Sequence, residues 1–314
     1  MIAPVDVALV LPPRSRFAGE ALPASVARAL GRADRFDAKT GVEALFDVLP
    51  RGWPAAAVTR QVEAGDARDS SWLRADPAYV RADINGARLL AVGDMLGLDA
   101  DTAETLLRPL RPLFGDAGMP IDAGRPNAWY LRLAAGSPLP AFISPDDALG
   151  SDLFDQMPQG AEGKRWRALM SEAQVLLHHH PVNADRLNRG VAPVNSIWFW
   201  GAGRLPDHVT TRYAAIRSHD ATVGAFAQLA GASIAPPGAW TTPEQNLAVD
   251  LRYERRLDRL SADWIEPALD AIAKKQVATF SLMWAEGTRF DVRRSQSLRF
   301  WKRPLRVLAE RDDE

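Results

Sequence analysis

LLHHHPVNADRLNRGVAPVNSIWFWGAGRLP, Leu176 to Pro206, joins three consecutive histidines, a short helix and an aromatic strand in one segment. The helix before it is predicted over Glu162 to His179, where Trp166, Leu169, Met170, Ala173, Leu176 and Leu177 recur at three- and four-residue spacing and form one apolar face. Within the segment, Asn183 reads as the N-cap of a helix over Ala184 to Arg189 and Gly190 as its C-cap. Val194 to Trp200 reads as a strand, and Gly201-Ala202-Gly203 as a turn leaving it. Helix followed by β-favouring apolar run marks a chain that mixes helices and strands. Neighbouring residues on a helix point about 100° apart, so His178, His179 and His180 cannot hold one ion while helical. The i, i+4 pair that would mark a metal site is absent, and imidazoles at a helix end meet its dipole and open carbonyls. His180 precedes Pro181, which turns it out of the helix, and it is the histidine placed to meet a ligand.

Working outward, Val5 to Leu11 (VDVALVL) is an apolar, β-branched run closed by Pro12-Pro13, as expected of a buried first strand. Ser15 follows it, a hydroxyl with no recognisable base nearby. Tyr79 to Asp83 alternates as a half-exposed strand does, and Asn85-Gly86 predicts a hairpin with Ala87 to Val92. Asp76 and Asp83 flank Arg81 and are secondary site candidates: a carboxylate pair for a metal or a proton, or an Asp-Pro turn plus an aspartate paired with Arg81. Asp101 to Phe114 reads as a helix broken by Pro109 and Pro112, Asn127 to Leu133 as a strand, and Ser144-Pro145 as a helix start. Thr222 to Ala230 and Ser261 to Ala273 are expected helices, with Pro267 awkwardly inside the second, and Gln276 to Ala285 is an expected late strand.

The 314 residues suffice for one large α/β unit or two lobes, expected at 1–70 with 176–314 as the core and 71–175 as a smaller lobe. A net charge of −1 gives no global field for nucleic acid or membrane. The absence of cysteine excludes disulfides, thiolate metal sites and thiol catalysis. No run reaches the roughly 18–20 apolar residues that span a bilayer, and the N-terminus lacks a leader pattern, so a cytoplasmic protein with no membrane partner is expected. Arg289 to Arg306 carries seven basic residues and one acid interleaved with Phe290, Phe300 and Trp301. That mixture suits single-stranded nucleic acid, or a hairpin with a solvated basic face.

Four segments together carry a resemblance: WLRADPAYVRADINGARLLA, SPLPAFISPDDALGSDL, EAQVLLHHHPVNADRLNRGVAPVNSIWFWGAGRLP and SLRFWKRP. The chain from about Trp72 onward resembles the bacterial RpfE-type regulatory proteins, a family related to the cofactor-independent phosphoglycerate mutases. NSIWFWGAGRLP is also similar to a tryptophan- and glycine-rich stretch of the archaeal-type mutases. The resemblance implies an alkaline-phosphatase-like α/β core, a mostly parallel sheet flanked by helices with a smaller α+β portion. It also implies two divalent metals and a serine nucleophile, because such chemistry needs carboxylates and imidazoles holding two ions. The chain departs from that pattern. VDVALVL ends in Pro-Pro where the family carries Asp-Gly, and FSLMWAEGTRFD offers Glu286 and Asp291 but no histidine.

The expectation is therefore a scaffold without the binuclear centre, with no cofactor and no metal, acting as a regulatory or ligand-binding protein. Its partner would be an anionic or phosphorylated small molecule or a regulatory protein. The candidate contacts are His180, Asn183, Arg186, Asn195, Trp198, Trp200, Gly201 and Gly203: imidazole, guanidinium and carboxamides for an oxyanion, and tryptophans for an apolar wall. The alternative for these residues is core packing and caps. The alternatives for the whole chain are a phosphoglycerate mutase-like phosphotransferase using Asp76, Asp83 and His180, and a nucleic-acid binder using Arg289 to Arg306.

Overall fold

The computed structural model describes residues 4–83, 86–134 and 136–310. Two compact units divide the chain, one formed by Met1–Leu49 with His208–Glu314 and one by Pro50–Asp207. Residues 50–70 and 176–207, expected with the core lobe, belong to the second unit. The Ser196–Arg204 strand pairs with Ser71–Asp83, and the Ala55–Ala64 helix packs on both.

The first unit is organised by Val5–Leu11, as its apolar run predicts. It lies between Leu247–Asp250 and Val277–Trp284, parallel to both. Ala215–Arg217 and Ser233–Ala235 extend the parallel part, and Thr288–Arg293 and Asp34–Asp37 complete the seven strands in antiparallel sense. Parallel strands covered on both faces lose polar alternation. Accordingly Val7, Leu9 and Leu11 pack with Trp264, Ile265, Phe280 and Trp284, while Ala8 and Val10 on the other face are also fully buried. The late helix runs from Leu257 to Ala273, four residues earlier than expected, and Ser261 is interior to it. Pro267 has no N–H for its turn, and the wide π turn over Ser261–Ile265 absorbs the missing bond.

The second unit is α+β and is not the smaller portion. Its antiparallel sheet is centred on Ser71–Asp83. One edge of that strand pairs with Ser196–Arg204. The other pairs first with Ala128–Leu133, through Arg74, and then with Gly86–Val92, from Ala78 onward. Asp76 and Pro77 fall in the gap between these two partners, so the expected Asp-Pro turn is strand. The hairpin onto Gly86–Val92 forms as predicted; Asn85 of its turn dipeptide lies outside the described residues. Phe199 anchors the core against Phe114 and Trp166, the latter at 5.0 Å between ring centres on the Gly160–His178 helix.

Gly201-Ala202-Gly203 does not leave the strand but continues it. Gly201 has φ +66°, and the register against Ser71–Asp83 shifts opposite it. A Cβ at Gly201 would stand 2.9 Å from Ala55 Cβ, and one at Gly203 2.6 Å from Pro54 Cβ. The glycines let the N-terminus of the Ala55–Ala64 helix lie directly on the strand. Gly201→Ala is expected to cost about 2 kcal/mol, from a left-handed backbone and an overpacked contact, read as a lower urea midpoint. An unchanged midpoint would show that the seam is loose.

Candidate functional site

In an open parallel sheet ligands bind beyond the carboxyl ends of the strands. In the first unit that edge carries Pro12, Pro13, Arg14 and Ser15 after the first strand, Arg252 after Asp250, Ser218 to Asp220 after Arg217, and Glu286 after Trp284. Asp250 is buried and fully engaged. Arg252 donates from Nε to Asp250 Oδ1 at 2.9 Å and from Nη2 to Oδ2 at 3.0 Å, and Ser218 Oγ donates to Oδ2 at 2.8 Å. The same Nη2 reaches Asp220 Oδ2 at 2.8 Å, while Asp220 Oδ1 caps the Ala221–Leu229 helix by accepting from Thr222 N–H. Burial works against the charge of Arg252, yet its hydrogen bonds to Asp250 and the neighbouring acids hold its pKa above the ordinary value. One strand away from Asp250, on the Val5–Leu11 side, Arg14 pairs through Nε with Glu286, and its Nη2 lies 3.4 Å from Thr288 Oγ1.

Two divalent ions do not fit these donors. The first strand ends on prolines, and a cation brought to Asp250 would meet the guanidinium of Arg252 at hydrogen-bond distance. Among the described residues no three His, Asp or Glu side chains gather to hold an ion. What the edge presents is guanidiniums paired with carboxylates, and hydroxyls. Ser15 stands exposed in the turn Arg14–Phe17.

The residues singled out in the sequence fall into two places in the second unit. Asp76 and Trp200 meet: Trp200 Nε1 donates to Asp76 Oδ2 at 2.6 Å. Asp76 Oδ1 accepts from Arg74 Nε at 2.8 Å and from the Trp129 N–H at 3.2 Å. Arg74, itself buried, lies over Tyr130 and Trp200, and Tyr130 donates its hydroxyl proton to Glu63 at 2.7 Å. Burial pushes the Asp76 carboxyl up, with Arg74, Trp200 and Trp129 opposing. Asp83 pairs with Arg88 at 2.6 Å rather than with Arg81, and stands apart from Asp76. Trp198 is core, its Nε1 donating to Ile143 O.

The second group holds a chain connection together. Asn183 is interior to the Pro181–Asn188 helix, not its cap; it donates to Leu177 O and Val194 O and accepts from Val194 N–H. Arg186 is buried and donates to Ala192 O and Leu96 O, and Asn195 bonds both backbone groups of Val80. These polar atoms bind backbone that would otherwise be unsatisfied. His180 is the N-cap, its Nδ1 accepting from Val182 N–H at 3.3 Å.

The sequence reading passed over Arg74, Tyr130, Ser218, Asp220, Asp250 and Arg252. A signal was present. All three buried acids among the described residues have an arginine two positions away: Arg74-Ala75-Asp76, Asp250-Leu251-Arg252, and Arg289-Phe290-Asp291 with Arg293. Strand period puts the partners on one face for Asp76 and Asp291, whereas Arg252 reaches Asp250 from the turn after its strand.

No family model matches the chain. It is 39% identical over 119 residues to a 2,3-bisphosphoglycerate-independent phosphoglycerate mutase of Methanosarcina acetivorans, covering 36% of this chain and 29% of that protein. It is 38% identical over 64 residues to a probable mutase of the same kind from Geobacter sulfurreducens, covering 20% and 16%. Over these partial stretches the chain is similar to 2,3-bisphosphoglycerate-independent phosphoglycerate mutases. The matched stretch spans less than a third of either of these two mutases. Among solved structures, the phosphoglycerate mutase of Thermoplasma acidophilum aligns over 92% of this chain and 89% of its own at 13% identity and TM-score 0.40. The PH0037 protein of Pyrococcus horikoshii aligns over 93% and 88% at 12% identity and TM-score 0.42.

Two predictions follow for the second unit. Asp76→Ala, which strands Arg74, is expected to cost about 3–5 kcal/mol of stability. Arg74→Met with Asp76→Leu should recover only part, because Trp200 Nε1 and Trp129 N–H still lack an acceptor; full recovery in the double variant would refute that role. Burial holds the His180 imidazole below its ordinary 6.5. The folded state therefore favours the neutral, capping ring, with its contribution complete above pH 6.5 and lost as pH falls through the lower folded value. His180→Asn keeps a cap acceptor without a titrating ring and should lose less melting temperature than the wild type between pH 7.5 and 5.5. Identical slopes would remove His180 from the pH dependence.

Proposed function

We propose that this protein is a non-catalytic regulatory protein, of the RpfE type, that binds an anionic or phosphorylated small molecule on a phosphoglycerate mutase-like α/β scaffold. The observation that supports this is the pairing of the acids with arginine at the carboxyl edge of the parallel sheet. Asp250 and Asp220 are committed to Arg252, and Glu286 to Arg14. A divalent ion stabilises charge built up in phosphoryl transfer; a guanidinium fixed in the same region recognises a phosphate or carboxylate without activating water. Arg14, whose side chain is 28% exposed, is the cation a ligand reaches. The relatives are named for phosphoglycerate, which is both a phosphate ester and a carboxylate, an anion of the class proposed.

The test is a thermal-shift series with phosphorylated metabolites, 3-phosphoglycerate included, each with and without Mn²⁺. A ligand at about a hundred times its Kd stabilises by about 2.7 kcal/mol, so a clear rise in melting temperature is expected. Arg14→Ala should abolish the rise while leaving the unliganded melting temperature nearly unchanged. Loss of the rise in His180→Ala, with Arg14→Ala unaffected, would move the site to the second unit. Turnover of phosphoglycerate by a clean preparation would sink the non-catalytic reading, and no shift with any anion would sink the ligand.

A further inference from the structure

The turn after the Thr288–Arg293 strand is built inside out. Two of its polar residues, buried Gln296 and half-buried Arg299, are bonded to the body of the unit. Gln296 is buried and donates to Asp34 Oδ2 at 3.0 Å and to Asp291 O at 3.1 Å. Arg299 Nη1 donates to Arg32 O at 2.9 Å and Asp34 Oδ1 at 2.6 Å, and Arg32 Nη1 returns a bond to Ser297 O. The downstream side is pinned as well: Leu305 N–H donates to Ala27 O, and Leu22 N–H to Arg306 O. Gly31 admits this segment against the Ala24–Arg32 helix, since a Cβ there would stand 2.2 Å from Arg303 O. The apolar residues point the other way. Leu298 is 73% exposed, Phe300 81% and Trp301 66%, the two rings meeting edge to face at 5.3 Å.

A frayed loop exposes apolar groups through want of contacts; this one is held on both sides and still presents them. Around them stand exposed Arg294, Lys302, Arg303 and Arg306, and no acid occurs from Val292 to Ala309. Arg293 pairs in register with Thr279, near the start of its strand, so the turn follows a strand that ends toward the amino ends of the parallel strands. It lies away from the carboxyl-edge site and is independent of the ligand proposed there.

We propose that this turn is an anchor for an anionic lipid surface, with Leu298, Phe300 and Trp301 entering the headgroup boundary and Arg294, Lys302, Arg303 and Arg306 meeting lipid phosphates. Aromatic rings favour that boundary, and cations beside it are drawn to the negative leaflet. Charge excludes a second copy as the occupant, since two such turns would bring cations together. Ring geometry disfavours single-stranded nucleic acid: planes at 82° do not offer successive bases parallel platforms, and Leu298 offers none. No helix among the described residues is long and apolar enough to cross a membrane, so the contact is peripheral. It departs from the expectation of no membrane partner, which rested on the net charge and the want of a spanning run rather than on a local patch.

The test is sedimentation with phosphatidylcholine vesicles, alone or with about one third phosphatidylglycerol, at low and high salt. The full chain should partition to the anionic vesicles, not to the neutral ones, and release as salt rises. Phe300→Ser with Trp301→Ser should weaken partitioning by about tenfold or more. Lys302→Ala with Arg303→Ala should weaken it by about twentyfold, each cation being worth roughly fivefold. Arg14→Ala should partition like the wild type, which keeps this outcome separate from the ligand site. No partitioning of the wild type to anionic vesicles at low salt overturns the proposal whether or not the variants fold. So does partitioning that well-folded variants leave unchanged, or binding to a twenty-nucleotide oligodeoxythymidine or an acidic protein in place of vesicles.

Discussion

A carboxylate withdrawn from water needs a cation beside it, and arginine supplies one at each buried acid described in this protein. Asp76, Asp250 and Asp291 all lie in or at the end of strands, and each has its arginine two residues away. For Asp76 and Asp291 the period of a strand makes this the least demanding solution, because residues two apart already share a face; Arg252 reaches Asp250 from the turn after its strand. The pairs differ in what surrounds them. Asp76 with Arg74 is sealed beneath Trp200, Trp129 and Tyr130, where it fixes the strand junction of the second unit. Asp250 with Arg252 stands at the edge where a parallel sheet receives ligands, and there the same device has a chemical consequence.

That consequence is a trade between two kinds of positive charge. Arg252 bonds both oxygens of Asp250, and Ser218 bonds one of them as well. A guanidinium cannot lower the pKa of bound water, but it can hold a phosphate or carboxylate in a fixed orientation.

Much of the framework was legible in the residues. Val5–Leu11 reads as a strand because parallel strands covered on both faces are apolar throughout, and the Gly160–His178 helix because its apolar positions keep helical spacing. The readings that changed did so where tertiary contacts override local signals. Asp76-Pro77 looks like a turn, yet lies in a strand at a gap between two partners. Gly201-Ala202-Gly203 looks like a strand end, yet it is a seam admitting Pro54 and Ala55, more than a hundred residues earlier. Asn183 looks like a helix cap, but bonds backbone on either side of its own helix.

The sequence by itself determined the α/β class, the central strand, the long helix and the want of a carboxylate after the first strand, because these rest on periodicity and residue type within short windows. It also contained the arginine–aspartate spacing, which local reading can find. Only the tertiary structure decided which of those pairs are sealed and which lie at the carboxyl edge of the parallel sheet, and that Leu298, Phe300 and Trp301 are exposed while Gln296 is buried. Burial is a property of what distant segments cover, and no short window of residues carries it.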